Sequence, residues 1–397
     1  MLGTPFSPWP AYTQEEADAA SRVILSNRVN YWTGNECREF EREFAGWTGA
    51  AHAIALANGT LALEAALRAL AIGAGDEVVV TPRTFLASAS CVVNAGARPV
   101  FADVDLDSQN ITAQTIEAVL TPRTRAIICV HLAGWPCDMD PIMELARRHN
   151  LYVIEDCAQA HGARYKGRPV GGIGHVGAWS FCQDKIMSTG GEGGMVTTNS
   201  EALWSAMWSY KDHGKAWDAV YARQHPPGFR WVHDTFGTNA RMLEVQAVIG
   251  RIQLRRMAAW TARRQANAAR LDEVARRYPV VRAPVTPAGI AHAAYKHYLF
   301  VEPDRLAPGW SRDRILQAIE ARGVPCYQGS CAEVYLERAF DNTELRPPQR
   351  LPNARRLGET SLMFLVHPTL TDLEMDHAAQ ALEDVLRQAS AGRPAQD

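Results

Sequence analysis

Lysine is scarce in this chain: of 41 Lys and Arg residues, five are lysine, namely Lys166, Lys185, Lys211, Lys215 and Lys296. Lys185 lies in Gly-Ala-Trp-Ser-Phe-Cys-Gln-Asp-Lys-Ile-Met-Ser-Thr-Gly-Gly-Glu-Gly-Gly-Met, residues 177–195, a few residues from Gly190, Gly191, Gly193 and Gly194 around Glu192. An arginine keeps its proton, whereas a desolvated lysine loses one and forms an imine with a carbonyl. The glycines allow close approach of backbone to a ligand, or a turn with positive φ. The plain alternative for Lys185 is a solvated loop lysine. The chemical one is a Schiff-base lysine holding pyridoxal phosphate, and other residues bear on it.

Asp156 closes the apolar strand 151–155 and is followed by Cys-Ala-Gln-Ala-His. In parallel α/β sheets ligands sit beyond the carboxyl ends of strands. A carboxylate there can hold a pyridine nitrogen protonated and make the ring an electron sink; it can equally cap the next helix. Gln159, three residues on, can hydrogen-bond a ring 3-oxygen. Ser180 can give its hydroxyl to a phosphate, and Asn58-Gly59-Thr60, between a strand and a helix, has the makings of a phosphate cradle. Phe85, after the strand 77–80, can stack on a ring or belong to the core. No metal set is expected: HExxH is absent, and His292 and His297 are not an i,i+4 pair. GxSxG and the P-loop lysine are missing too.

The elements that position these residues follow from the hydrophobic pattern. Apolar runs at 51–57, 77–80, 99–104, 125–131, 151–156, 176–181 and 194–198 read as strands. Segments 61–70, 87–94, 115–120 and 139–149 read as helices between them. That alternation predicts an α/β fold: a large domain with a mostly parallel seven-stranded sheet covered by helices. Residues 212–238 break the pattern with Gly, Pro, His and large aromatics, as a lid or subunit contact would. A long helix over 242–278 then leads to a smaller α+β domain, with strands at 297–302 and 363–367 and helices at 312–322 and 373–389. The division expected is 1–250 for the large domain with its N-terminal segment, and 251–397 for the bridging helix and small domain. The polar tail from Ser390 is expected to fray.

Composition narrows the partners. A net charge of −2 gives no general drive toward nucleic acid or membrane surfaces. No apolar run is long enough to span a bilayer. The first ten residues lack a basic stretch followed by an apolar one, so a cytoplasmic location is expected. The eight cysteines contain no CxxC pair and read as free, mostly buried thiols.

In order and spacing, Asn-Gly-Thr, Thr-Phe, Asp-x-Ala-Gln-Ala-His-Gly, Ser-Phe-x-x-x-Lys, Gly-Glu-Gly-Gly-Met and Gly-x-Asn-x-Arg-Met together resemble the DegT/DnrJ/EryC1/StrS family. Its members are fold-type I pyridoxal-phosphate enzymes, mostly nucleotide-sugar aminotransferases, and the resemblance covers nearly the whole chain. It implies that Lys185 carries the cofactor as an imine, that Asp156 pairs with the pyridine nitrogen and that Gln159 meets the 3-oxygen. Gly59, Thr60 and Ser180 would hold the phosphate, and Phe85 would stack on the ring. Asn239 would reach the cofactor of a second subunit, making a homodimer. The implied reaction is ping-pong transfer of an amino group from glutamate or glutamine to a dTDP- or UDP-linked keto-sugar, for amino-sugar or surface-polysaccharide synthesis. A sugar dehydratase of the same family would carry histidine in place of Lys185; a cyclitol aminotransferase and a non-catalytic cofactor-binding regulator are the other readings. The chain departs from the family's common pattern at 323–335 and at Cys182-Gln183-Asp184, both expected to border the sugar pocket.

Overall fold

The computed structural model describes residues 5–390; the tail beyond Ser390 lies outside them. The strands in chain order are β1 (His52–Leu56), β2 (Glu77–Val80), β3 (Arg98–Phe101), β4 (Thr124–Val130) and β5 (Tyr152–Asp156). A two-residue pair, β6 (Arg164–Tyr165) and β7 (Arg168–Pro169), precedes β8 (Val176–Ser180) and β9 (Gly194–Thr198). Seven of them form one sheet in the order β1-β9-β8-β5-β4-β2-β3. The pairings β8–β5, β5–β4, β4–β2 and β2–β3 are parallel, whereas β9 pairs antiparallel with both β1 and β8. The runs are continuously apolar because both faces are covered: Val78, Val79 and Val80 of β2 are all fully buried.

Helices Gly59–Ala69, Ala87–Asn94 and Met139–His149 fill the crossovers. Each delivers its N-terminus to the sheet edge where β1, β2 and β4 end. Asn58 caps the first of these helices, its side chain accepting the Leu61 N–H at 3.0 Å. The expected helix at 115–120 forms as Ala113–Glu117, because Thr112 caps it two residues earlier.

Helix Glu201–Lys211, capped by Ser200, is absent from the sequence reading. Its face is rich in Trp, which blurs the helical period: Met207 and Trp208 are buried, Trp204 partly. The segment 212–238 is largely irregular but holds a short helix, Trp217–Tyr221.

The long helix runs Glu244–Ala275, shorter at both ends than the apolar pattern. Beyond it a second sheet has the order Val281–Arg282, His297–Val301, Ser361–Phe364, Cys326–Tyr327, antiparallel throughout. Its central strand sorts side chains by the two-residue period. Leu299 and Val301 face helices Arg312–Glu320 and Asp372–Ser390, while Tyr298 and Phe300 pack toward the large sheet. The strand expected at 363–367 starts at Ser361, directly after an unforeseen helix, Pro352–Thr360. The backbone leaves the sheet before His367, whose Nδ1 bonds the Thr369 hydroxyl.

The N-terminal segment crosses between the two sheets. Ser7 bonds Glu374, and the Pro8 carbonyl accepts from Thr369 at 2.8 Å. Trp9 packs edge-on against Trp260 of the long helix.

Candidate active site

The site lies where β1, β2, β5 and β8 end. The Asn58-Gly59 turn rests directly on neighbouring backbone, which explains both its glycine and Gly194. A Cβ on Gly59 would lie 2.5 Å from the Ser180 Cβ, and one on Gly194 would lie 2.3 Å from the Asn58 carbonyl oxygen. Larger residues would push the helix N-terminus off the sheet. The amides of Gly59 and Thr60, in the first turn, have no intrahelical acceptor. Their turn packs directly against Ser180, which is nearly buried (8% exposed). Gly190 and Gly191 serve the other purpose foreseen for the cluster, with φ of 83° and 113°.

Asp156 ends β5 and is almost wholly buried. One oxygen accepts the Ser88 hydroxyl at 2.8 Å, and the other the Ala158 N–H at 3.1 Å. Ser88 spends its single proton on Asp156, so Thr84, 2.8 Å away, donates to Ser88. No Lys, Arg or His nitrogen among the described residues forms an ion pair with Asp156. Burial therefore pushes its carboxyl above the usual range, and Ser88, Ala158 and the more distant Lys185 charge only partly offset this.

Gln159 is oriented by a long-range contact. Its Oε1 accepts the N–H of Ala133 at 2.8 Å, a residue held in the left-handed region at φ 56°. The amide oxygen is thereby committed, which leaves the NH2 group to donate. Phe85 is 71% exposed, with a free face.

Lys185 is anchored through its backbone. Its carbonyl accepts the Trp9 Nε1–H at 2.8 Å, a contact across 176 residues. Its Nζ lies 3.8 Å from Asp184 Oδ1 and 5.3 Å from the centre of the Tyr295 ring. Tyr295 donates its hydroxyl to the other Asp184 oxygen. Burial alone would raise the Asp184 carboxyl, but the Lys185 charge, the Tyr295 hydrogen bond and the Lys296 charge outweigh it and hold it low.

Tyr295, Ser88 and Ala133 did not figure among the sequence candidates, and Asp184 did so only as part of Cys182-Gln183-Asp184 at the expected sugar pocket. Only Asp184, adjacent to Lys185, carried a local signal. The structure thus brings Gly59, Thr60, Ser180, Asp156, Gln159, Phe85 and Lys185 to one sheet edge. Asn239 is apart: its side chain is exposed and makes no hydrogen bond among the described residues. Its neighbour Ala240 accepts the Ala57 N–H at 2.9 Å.

A separate polar cluster, His131, Glu155 and Cys157, lies within metal-ligand reach of itself, but both His131 nitrogens and both Glu155 oxygens are already engaged. His131 Nδ1 accepts the Cys137 N–H, so Nε2 carries the proton and donates to Glu155 at 3.1 Å. Glu155 also accepts the amides of Gly171, Ile173 and Gly174, fixing the turn before β8. Of the eight cysteines, Cys331 is exposed and Cys182 half-buried; the other six are buried, and all are free.

Pyridoxal phosphate fits this edge on two observations. A protonated pyridine nitrogen supplies the cation that Asp156 lacks, and the glycine-opened helix start opposite Ser180 suits a dianionic phosphate. With a lysine beside them, these features belong to the pyridoxal-phosphate-dependent transaminases. The chain belongs, more narrowly, to the DegT/DnrJ/EryC1/StrS aminotransferase family, whose sequence model it matches over residues 10–383.

Among curated relatives, a UDP-N-acetyl-3-dehydro-alpha-D-glucosamine 3-aminotransferase of Acidithiobacillus ferrooxidans is 40% identical, covering 90% of each chain. A GDP-perosamine synthase of Caulobacter vibrioides is 38% identical, covering 88% of this chain and 89% of the relative. Among solved structures, an aminotransferase from Psychrobacter cryohalolentis superposes with a TM-score of 0.95 at 63% identity, covering 97% of this chain and 100% of that one.

Proposed function

We propose that this enzyme transfers an amino group from glutamate or glutamine to a nucleotide-linked keto-sugar, dTDP- or UDP-bound, in the synthesis of an amino sugar for a surface polysaccharide or a related product. The observation that carries this reading is the buried, cation-free carboxylate of Asp156 on the same sheet edge as Lys185. The relative named as a UDP-sugar aminotransferase, and the one named for a GDP-linked sugar, support the substrate class.

When bound, pyridoxal phosphate supplies an electron sink for the carbon that loses its proton. Asp156 holds the pyridine nitrogen protonated, and the Gln159 NH2 group donates to the ring oxygen. Gly59, Thr60 and Ser180 grip the phosphate, and Phe85 covers the ring. Lys185 anchors the cofactor covalently. Its freed Nζ would then take the proton from the donor's α-carbon and hand it to the cofactor carbon bonded to the transferred nitrogen, and would run the same transfer in reverse toward the keto-sugar carbon on the return half of the cycle. Lys185 also favours this reading over a dehydratase, in which histidine is expected there.

The working unit in this proposal is a cytoplasmic homodimer, with Asn239 reaching the partner's cofactor. Its support is the loop 212–238, where Phe229 and Trp231 are 72% and 80% exposed and Phe236 is fully so. No helix among the described residues is long and apolar enough to cross a membrane. We also divide the chain at residue 250, with 1–250 as the cofactor-binding part and 251–397 as bridging helix and small domain.

The test is spectroscopic. Glutamate or glutamine is expected to bleach the yellow absorbance of the purified enzyme, and a keto-sugar nucleotide from a dTDP- and UDP-linked panel to restore it. An unchanged spectrum with both donors would refute aminotransfer, as would near-normal turnover in Lys185→Ala.

A further inference from the structure

Behind Lys185 lies a set of cations for which the fold provides too few anions. Lys296 Nζ stands 4.8 Å from the centre of the Tyr295 ring, the ring that Lys185 Nζ also approaches. The other four lysines each have a carboxylate within ion-pair range: Asp140 for Lys166, Asp184 for Lys185, Glu41 for Lys211 and Asp212 for Lys215. Among the described residues, Lys296 has none, nor any side-chain hydrogen bond.

Arg264, on the long helix, is 1% exposed. Its Nη1 donates to the Tyr295 carbonyl at 3.3 Å and its guanidinium lies 4.9 Å over the Trp9 ring, but Nε and Nη2 have no acceptor. Two neighbouring histidines add no charge. Burial, helped by the charges of Lys185 and Arg264, takes His161 down to about 3, and burial with Arg264 and Lys296 does the same to His367. Once Lys185 is engaged in catalysis, the one carboxylate left to the pair is Asp184, which acts on Lys296, while Arg264 has only the Tyr295 carbonyl. Two desolvated cations sharing one anion are an expensive arrangement for a folded chain, and a bound anion relieves it.

The anion must be small and terminal. A diphosphate is esterified at both ends, so its sugar and nucleoside would have to enter alongside it, which a guanidinium buried as deeply as Arg264 does not allow. A carboxylate at the end of a short alkyl chain needs no such room. We infer that Lys296, backed by the field of Arg264, receives the side-chain carboxylate of the amino donor, so that glutamate rather than glutamine is the amino donor. Glutamine presents a neutral group there, with an NH2 directed at cations. This inference rests on the aminotransferase reading and names one of its substrates.

The donor half-reaction of the holoenzyme tests it, followed by the absorbance change and titrated separately with glutamate and glutamine. A charge-assisted contact of this kind is expected to favour glutamate by about tenfold or more in half-saturating concentration. Lys296→Met should raise that concentration for glutamate by about tenfold and leave glutamine within about twofold, while Lys296→Arg restores most of the preference. Equal half-saturation by the two donors in the wild-type enzyme would overturn the inference without any variant. So would a Lys296→Met enzyme that keeps the glutamate preference, or one that loses only affinity for the keto-sugar nucleotide. A wild-type enzyme silent to both donors would sink the aminotransferase reading itself, a different and recognisable result.

Discussion

Replacing Asp156 by Asn should move the stability of the cofactor-free and cofactor-bound forms in opposite directions. Asn keeps the shape and can still accept a hydrogen bond from Ser88 or Ala158, so the change is chiefly the loss of one buried charge. Without cofactor that charge has no cation partner and its carboxyl is raised by burial. A carboxyl raised on folding contributes most favourably below its unfolded value, and that contribution is lost as pH rises through the folded one. The cofactor-free protein therefore carries a carboxyl whose ionisation burial disfavours, and Asp156→Asn should raise its melting temperature at neutral pH. The gain should vanish in acid, where wild-type Asp156 is protonated.

With cofactor the sign inverts. Removing one partner of a buried ion pair costs about 3–5 kcal/mol. At 1.4 kcal/mol per tenfold, that weakens cofactor binding by between about two and three and a half powers of ten. Thermal unfolding with and without pyridoxal phosphate, together with a cofactor titration followed by absorbance, measures both halves. Wild-type cofactor affinity in the variant would refute the assignment of Asp156 to the ring nitrogen. A cofactor-free variant less stable than wild type would refute the argument about the uncompensated charge.

Further predictions concern other parts of the site. Gly59→Ala places a methyl group 2.5 Å from the Ser180 Cβ. It should cost about 1–3 kcal/mol of stability and weaken phosphate-dependent cofactor binding, both readable in the same assays. Changing Trp231 and Phe236 together to Asp removes exposed apolar surface; if the proposed homodimer forms through this loop, sedimentation should show it dissociating, with activity lost in proportion. The Lys296 ammonium is pushed down to about 8 by burial, with Arg264 and Lys185 adding to the shift against Asp184. The groups facing it are Asp184, Lys185, Arg264, Tyr295 and His367. It is charged below that value and neutral above it, so glutamate affinity should fall as pH rises through about 8, and Lys296→Arg should flatten that limb of the titration.

The chemistry was legible in the sequence where one short segment carries both the element and the reactive group. Strand β5 ends on Asp156 and β8 ends on Ser180, and a parallel sheet sends such ends to a common edge whatever the details of packing. Asn58-Gly59-Thr60 announces its own turn, since Asn caps and Gly permits contact; Lys185 stands out by scarcity and by its glycines. The order of these motifs along the chain carries the family.

What the sequence could not supply is whatever holds or charges these groups from a distance. Ser88 reaches Asp156 across 68 residues, Ala133 fixes Gln159 across 26, Tyr295 meets Asp184 across 111, and Trp9 reaches Lys185 across 176. None of these partners has a local pattern distinguishing it from an ordinary serine, alanine, tyrosine or tryptophan. Lys296 and Arg264 show this most clearly. Either is unremarkable in sequence, and the unbalanced charge beside Lys185 arises only when the long helix, the small-domain strand and the N-terminal segment pack together. Local residue type and periodicity thus determined which candidate groups stand on this edge. Tertiary packing alone, by setting burial and the distances between charges, decided how their protonation is shifted and left Lys296 and Arg264 short of an anion.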